Sequence, residues 1–151
     1  MSESNGHVLA YIHDGYTING YIAAVPRLHP EMRFVYRPML VQNRSVIFRE
    51  IRLATDARKT ESIAAAAIKS QLVSWDVVDH QGSAVTIEVP HALRLQQALF
   101  QKLFSIVTGD VPSDEDPLIQ AGEQAEATDQ DLRDAFAGTT PEEHEAAAVK
   151  N

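Results

Sequence analysis

The stretch LVSWDVVDHQGSAVTIEVPHALRLQQALF, residues 72–100, decides how this chain is divided. It holds the only tryptophan, Trp75, followed by Asp76, Asp79, His80 and Gly82. Asp76, Asp79 and His80 could act as an acid–base group beside the indole. A structural corner accounts for the same residues more simply. Asp79 to Gly82 carry turn chemistry. SAVTIEV is rich in β-branched residues and reads as a short strand. Pro90 suits a first helical turn, where its missing N–H costs little. Trp75 then anchors the core at the end of a preceding helix. A buried ring there would make Trp75→Ala cost about 3–5 kcal/mol.

Downstream of the corner, the pattern predicts one helix over residues 90–108. Ala92, Leu95, Leu99, Leu103 and Ile106 form one apolar stripe, and Leu93, Phe100, Phe104 and Val107 an adjoining one. So wide an apolar face needs cover on several sides. Leu95, Leu99, Phe100, Leu103 and Phe104 are therefore candidate partner-binding residues. Gly109 is the expected stop.

Upstream, residues 39–81 lack proline and glycine, which favours helix. Either one helix covers 43–73, or two meet near 55–60, where TDARKT interrupts. Earlier still, HVLAYIH and YTINGYIAAV read as extended. Asp14 and Gly15 are the expected hairpin turn, with Asn19 and Gly20 as a bulge or corner. In MRFVYRPML, Met32, Phe34 and Tyr36 share one strand face and Arg33, Val35 and Arg37 the other. The expected fold is α+β: N-terminal antiparallel strands, as hairpin or meander, packed with two or three helices and followed by an acidic tail. The divisions are a loose 1–6, one domain over 7–109, and a largely disordered or partly helical 110–151. Leu132 and Phe136 mark a short amphipathic helix near 129–137 as the alternative to disorder.

Composition narrows the function. The 151 residues contain no cysteine, which removes disulfides, thiol nucleophiles and Cys-based zinc sites. The net charge of −8 is uneven. Residues 1–109 carry 11 Lys/Arg and 9 Asp/Glu, and residues 110–151 carry 2 and 12. The body is nearly neutral and the tail acidic, which disfavours nucleic acid as a partner. No apolar run is long enough to span a bilayer, and the start of the chain lacks signal-peptide features. No membrane contact is expected.

No motif carries chemistry by itself. The six histidines are scattered, and no HExxH, GxSxG, P-loop or GxGxxG occurs. His13 with Asp14 and His29 could bind a cation only if the fold gathered them. The expectation is no catalytic residue, no metal and no cofactor. The basic residues concentrate at Arg33, Arg37, Arg44, Arg49, Arg52, Arg58 and Lys59, diluted by Glu31, Glu50 and Asp56. A solvated helix face is the plain explanation. Stacking of nucleic-acid bases on Phe34 and Tyr36 is a second. Docking of an acidic surface by Arg37, Arg49 and Arg52, such as the tail of a neighbouring copy, is a third.

The order of these segments resembles small proteins of the structural gene modules of tailed bacteriophages, above all tail assembly chaperones. The resemblance spans about residues 33–117. It rests on Arg37 and Pro38 after an aromatic strand, Trp75 and Asp76 before a polar turn with Gly82, the helix ALFQKLFSIVTG, and the acidic PSDEDP. It implies a non-enzymatic protein that keeps a tape-measure protein soluble during tail assembly, through helix contacts in the host cytoplasm. The alternative is an oligomerising structural subunit of tail or neck, located in the virion. A small metal-dependent hydrolase using His13, Asp14, Asp76 or His80 is the third expectation.

Overall fold

The computed structural model describes residues 8–119. Expectations for residues 1–6 and for a helix near 129–137 fall outside that range. Of the described residues, 8–116 belong to one compact unit, and a second begins at Pro117.

Two strands open the fold: β1, Ile18–Ile22, and β2, Met32–Tyr36. They pair antiparallel, from Ile18 opposite Tyr36 to Ile22 opposite Met32. Met32, Phe34 and Tyr36 are buried while Arg33 and Val35 are half-exposed, the alternation expected of a strand with one core face. The expected turn at Asp14 and Gly15 exists, with Gly15 at φ 83°. No strand among the described residues precedes it, however, so the hairpin lies later than expected. Gly20 is neither bulge nor corner. It stands within β1 opposite Phe34, whose ring lies against it. A Cβ there would be 2.4 Å from two ring carbons. The glycine provides the space that the aromatic ring fills.

Two helices follow: α1, Val41–Leu53, and α2, Ala57–Gln71. Of the two alternatives, two helices form, and the break at 54–56 overlaps the start of TDARKT. Asp56 makes it sharp by capping α2, its carboxylate accepting the Lys59 N–H at 2.7 Å. Ala64, Ala65, Ala67 and Ile68 of α2 are buried, whereas α1 buries no residue fully.

The third strand, β3, Leu72–Trp75, follows α2 without a loop. It pairs antiparallel with β2 and completes the sheet order β1-β2-β3. The chain is thus α+β with a three-stranded antiparallel sheet. Extending the helix to residue 73 is corrected. Leu72, Val73 and Trp75 suit a pleated surface, and β2 offers an unpaired edge. Trp75 is half-buried against the core, its Nε1–H donating to the Val85 carbonyl at 2.6 Å. The 3–5 kcal/mol for a buried ring is accordingly an upper bound.

The polar turn is built by Asp79. Its carboxylate accepts the Gln81 and Ser83 N–H groups at 2.9 and 3.0 Å, and Gly82 takes φ 81°. The following segment forms only one isolated bridge, Val78 with Ala84, rather than a strand. The single helix predicted over 90–108 is two: α3, Val89–Ala92, and α4, Gln97–Val107. Gln96 is extended at ψ 142° with neither proline nor glycine nearby. Packing sets this break, because it lets α4 turn Leu99, Leu103, Ile106 and Val107 into the core with Ile68, Leu72 and the sheet.

The first residues of the expected tail belong to the fold. Gly109, at φ 89°, ends the helix as expected. Residues 110–116 then run back along β1, the sheet edge. Ser113 Oγ accepts the Tyr21 N–H at 2.7 Å and donates to its carbonyl at 2.9 Å. Asp114 accepts the Ala23 N–H at 2.9 Å and pairs with Lys102 at 3.2 Å. Asp116 holds Arg33 through both Nε and Nη2, at 2.9 and 3.0 Å. The compact unit therefore extends to Asp116 rather than ending at residue 109. This strap supplies partners for an edge that would otherwise be open to pairing.

Candidate functional site

A groove of about 640 Å³ lies among α1, α2, α4 and the elbow between α3 and α4. Phe48 and Ile51 of α1 form one wall. Ala64 of α2 and Phe100 and Phe104 of α4 form much of the rest, with Leu93 and Leu95 at the elbow. Thr60, Glu61, Gln97, Gln101 and Ser105 supply its polar lining.

Helical spacing explains the wall of α4. Leu99 and Leu103 are 5% and 0% exposed and face the core, while Phe100 and Phe104, one position on, remain half-buried at the groove. The structure therefore divides the apolar residues one by one rather than stripe by stripe: Val107 of the second stripe joins the core and Leu95 of the first lines the groove. Leu99 and Leu103 are corrected from partner-binding to core residues, because the sheet and α2 already cover them. Leu95, Phe100 and Phe104 do come together in the groove.

Leu93 was read in the apolar stripe but not singled out, and Phe48, Ile51 and Ala64 were missed. The only available signal was that Phe48 and Ile51 lie three residues apart, on one helix face. Phe48 packs on Phe104 with ring centroids 5.7 Å apart and a 56° tilt. Arg44 lies 4.6 Å from the centroid of Phe48. Its Nε donates to the Thr108 carbonyl at 3.1 Å, and its Nη2 pairs with Asp110. One arginine thus ties α1 to the C-terminal end of α4, where carbonyls lack helical partners.

The basic residues do not form one cluster. Arg33 belongs to the sheet network with Glu31, Asp116 and the Tyr21 ring, 4.9 Å away. Hydrogen bonding by Asp116 and then Glu31 raises its pKa further. Donation from the Tyr21 hydroxyl, and then from Arg33, holds Glu31 below the ordinary carboxylate range. Arg37 follows β2, where its backbone exchanges hydrogen bonds with Gln71. Arg49 and Arg52 are exposed on α1. With Arg58 and Lys59 at the start of α2, they have no ion pair among the described residues.

The candidate chemical groups occupy structural places. The Asp76 carboxylate accepts the Arg33 N–H, and Asp79 shapes its turn. His13 Nδ1 lies 2.9 Å from the Asp14 carbonyl, and His29 Nδ1 lies 2.8 Å from that of Pro30. Among the described residues, no three His, Cys, Asp or Glu side chains gather as a metal site. No described helix is long and apolar enough to cross a membrane.

Compared with known family models, curated proteins and solved structures, the chain matches none.

Proposed function

We propose that this chain is a non-enzymatic tail-morphogenesis protein whose groove holds an amphipathic helix of a long helical partner of the tape-measure type. The groove carries the helix-docking part of the proposal. Phe48, Ile51, Leu95, Phe100 and Phe104 present half-buried apolar surface between helical walls. Apolar anchors at i, i+4 and i+7 on an incoming helix would fill such a groove. Arg49, Arg52, Arg58 and Lys59 favour an occupant with acidic flanks. The phage assignment rests on the order of Arg37–Pro38, Trp75–Asp76, Gly82 and PSDEDP.

The test uses a labelled helical peptide with leucines at i, i+4 and i+7 and glutamates flanking them. The protein should bind it, and Phe100→Asp should weaken binding at least about tenfold while leaving the protein folded. A lysine-flanked peptide should bind more weakly. Unchanged affinity in a folded Phe100→Asp variant would remove the groove as the docking site. Co-purification with a tape-measure protein from the same gene module tests the narrower assignment.

A second reading is a self-associating structural subunit. It draws on Val41, Val46 and Leu53, which expose apolar surface on α1. Stoichiometric presence in mature particles would favour it over the chaperone role.

A further inference from the structure

We infer that α1 is a hinged wall of the groove, latched to the end of α4 by Arg44, and that it swings away to admit the helix of the docking proposal on which this inference rests. The chain is pinned on both sides of α1. Before it, Met39 is buried, the Arg37 N–H donates to Gln71 at 2.8 Å, and Gln71 Nε2 returns a bond to the Arg37 carbonyl at 2.6 Å. After it, Asp56 caps α2. Between these pins, Leu40 and Ala54 flank α1 in extended conformations, with ψ of 151° and 139°. They are the positions where rotation can be absorbed.

The helix between those hinges is weakly held. None of its 13 residues is fully buried, whereas α2 and α4 each bury four. Leu40 gives it no side-chain cap, and its first turn has no acidic residue to meet the helix dipole. Its sequence, VQNRSVIFREIRL, contains four β-branched valines and isoleucines, while α2 has a run of alanines. It packs on α2, and toward α4 it is held by the Phe48–Phe104 ring pair and by the Arg44 latch to Thr108 and Asp110. Both members of the Arg44–Asp110 ion pair are 42% exposed, so water competes for the pair. Elements with few buried contacts are the ones that open locally below the global unfolding free energy. Opening α1 would uncover Phe104 and Ala64 without disturbing Leu99, Leu103 or Ile106.

Hydrogen exchange on the full chain, with no peptide present, tests the wall. Amides of α1 should open at least about tenfold more often than those of α2 and α4. Arg44→Ala should raise α1 opening several-fold further and leave α2 and α4 unchanged. Asp110→Asn, which keeps the side-chain shape, should have the same effect in smaller measure. Equal protection of all three helices overturns the inference, as do latch variants that shift all three together. The readout is independent of peptide binding, so failure of the wall and failure of docking are distinguishable.

Discussion

The strap on β1 and the groove beside α1 are both assembled from distant segments, yet they are finished in opposite ways. At the strap, Ser113, Asp114 and Asp116 meet Tyr21, Ala23, Lys102 and Arg33, and the sheet edge is satisfied within the chain. At the groove, three aromatic rings remain half-exposed beside a helix without a fully buried residue. Polar closure uses up a surface, whereas unfilled apolar lining leaves free energy for a partner to recover. The same chain thus closes one edge against association and leaves another face available.

The largest effect should come from the core shared by both regions. Leu103→Ala should lower unfolding stability by about 2–5 kcal/mol in chemical denaturation, because Leu103 is wholly buried. A loss well under that range would mean the α4 core can collapse around the gap. Gly20→Ala strikes the sheet alone. Its new methyl group meets the Phe34 ring, and the overpacking should cost about 1–3 kcal/mol. Groove binding should survive in the folded variant; its loss would mean the two regions are coupled.

Acid should loosen the strap. Partial burial raises the Asp114 pKa, but the Ala23 N–H and Lys102 outweigh it, and the carboxyl sits below its ordinary value of 3.8. The fold therefore favours the ionised form. Its stabilising contribution is fully present above that ordinary value and is lost as pH falls through the lower, folded-state value. The Ala23 amide resonance should report this loss, and Asp114→Asn should abolish that titration. A pH-independent Ala23 signal in the native chain would contradict it. The smallest effect on global stability belongs to Arg44→Ala, within about 1 kcal/mol because its ion pair is exposed. A larger loss in denaturation would make α1 part of the cooperative core and erase the contrast.

Local patterns made much of the fold legible. Alternation identified the inward face of β2, the TDARKT interruption marked where two helices could meet, and Asp79 with Gly82 marked the turn. Local patterns could not locate the hairpin partner of β2, because pairing Ile18 with Tyr36 depends on residues far apart in sequence. They also ran the strand LVSW into a helix, since nothing within four residues shows that β2 has an edge to offer. Part of the candidate groove was visible as Leu95, Phe100 and Phe104. Phe48 and Ile51 lie on another helix, and only tertiary packing brings them opposite.

The sequence by itself determined the α+β class, the core face of β2, the corner at Asp79 and an α4 too apolar for one neighbour. Those properties follow from periodicity and backbone preference, which act over a few residues. Tertiary structure decided which apolar residues of this segment became core and which lined the groove. It broke the helix before Gln97 without a proline or glycine, and it turned PSDEDP from the start of an expected tail into a strap. Each outcome depends on which surfaces remain to be covered once distant segments meet. Ser113 and Tyr21, 92 residues apart, are hydrogen-bonded because β1 had an edge to satisfy.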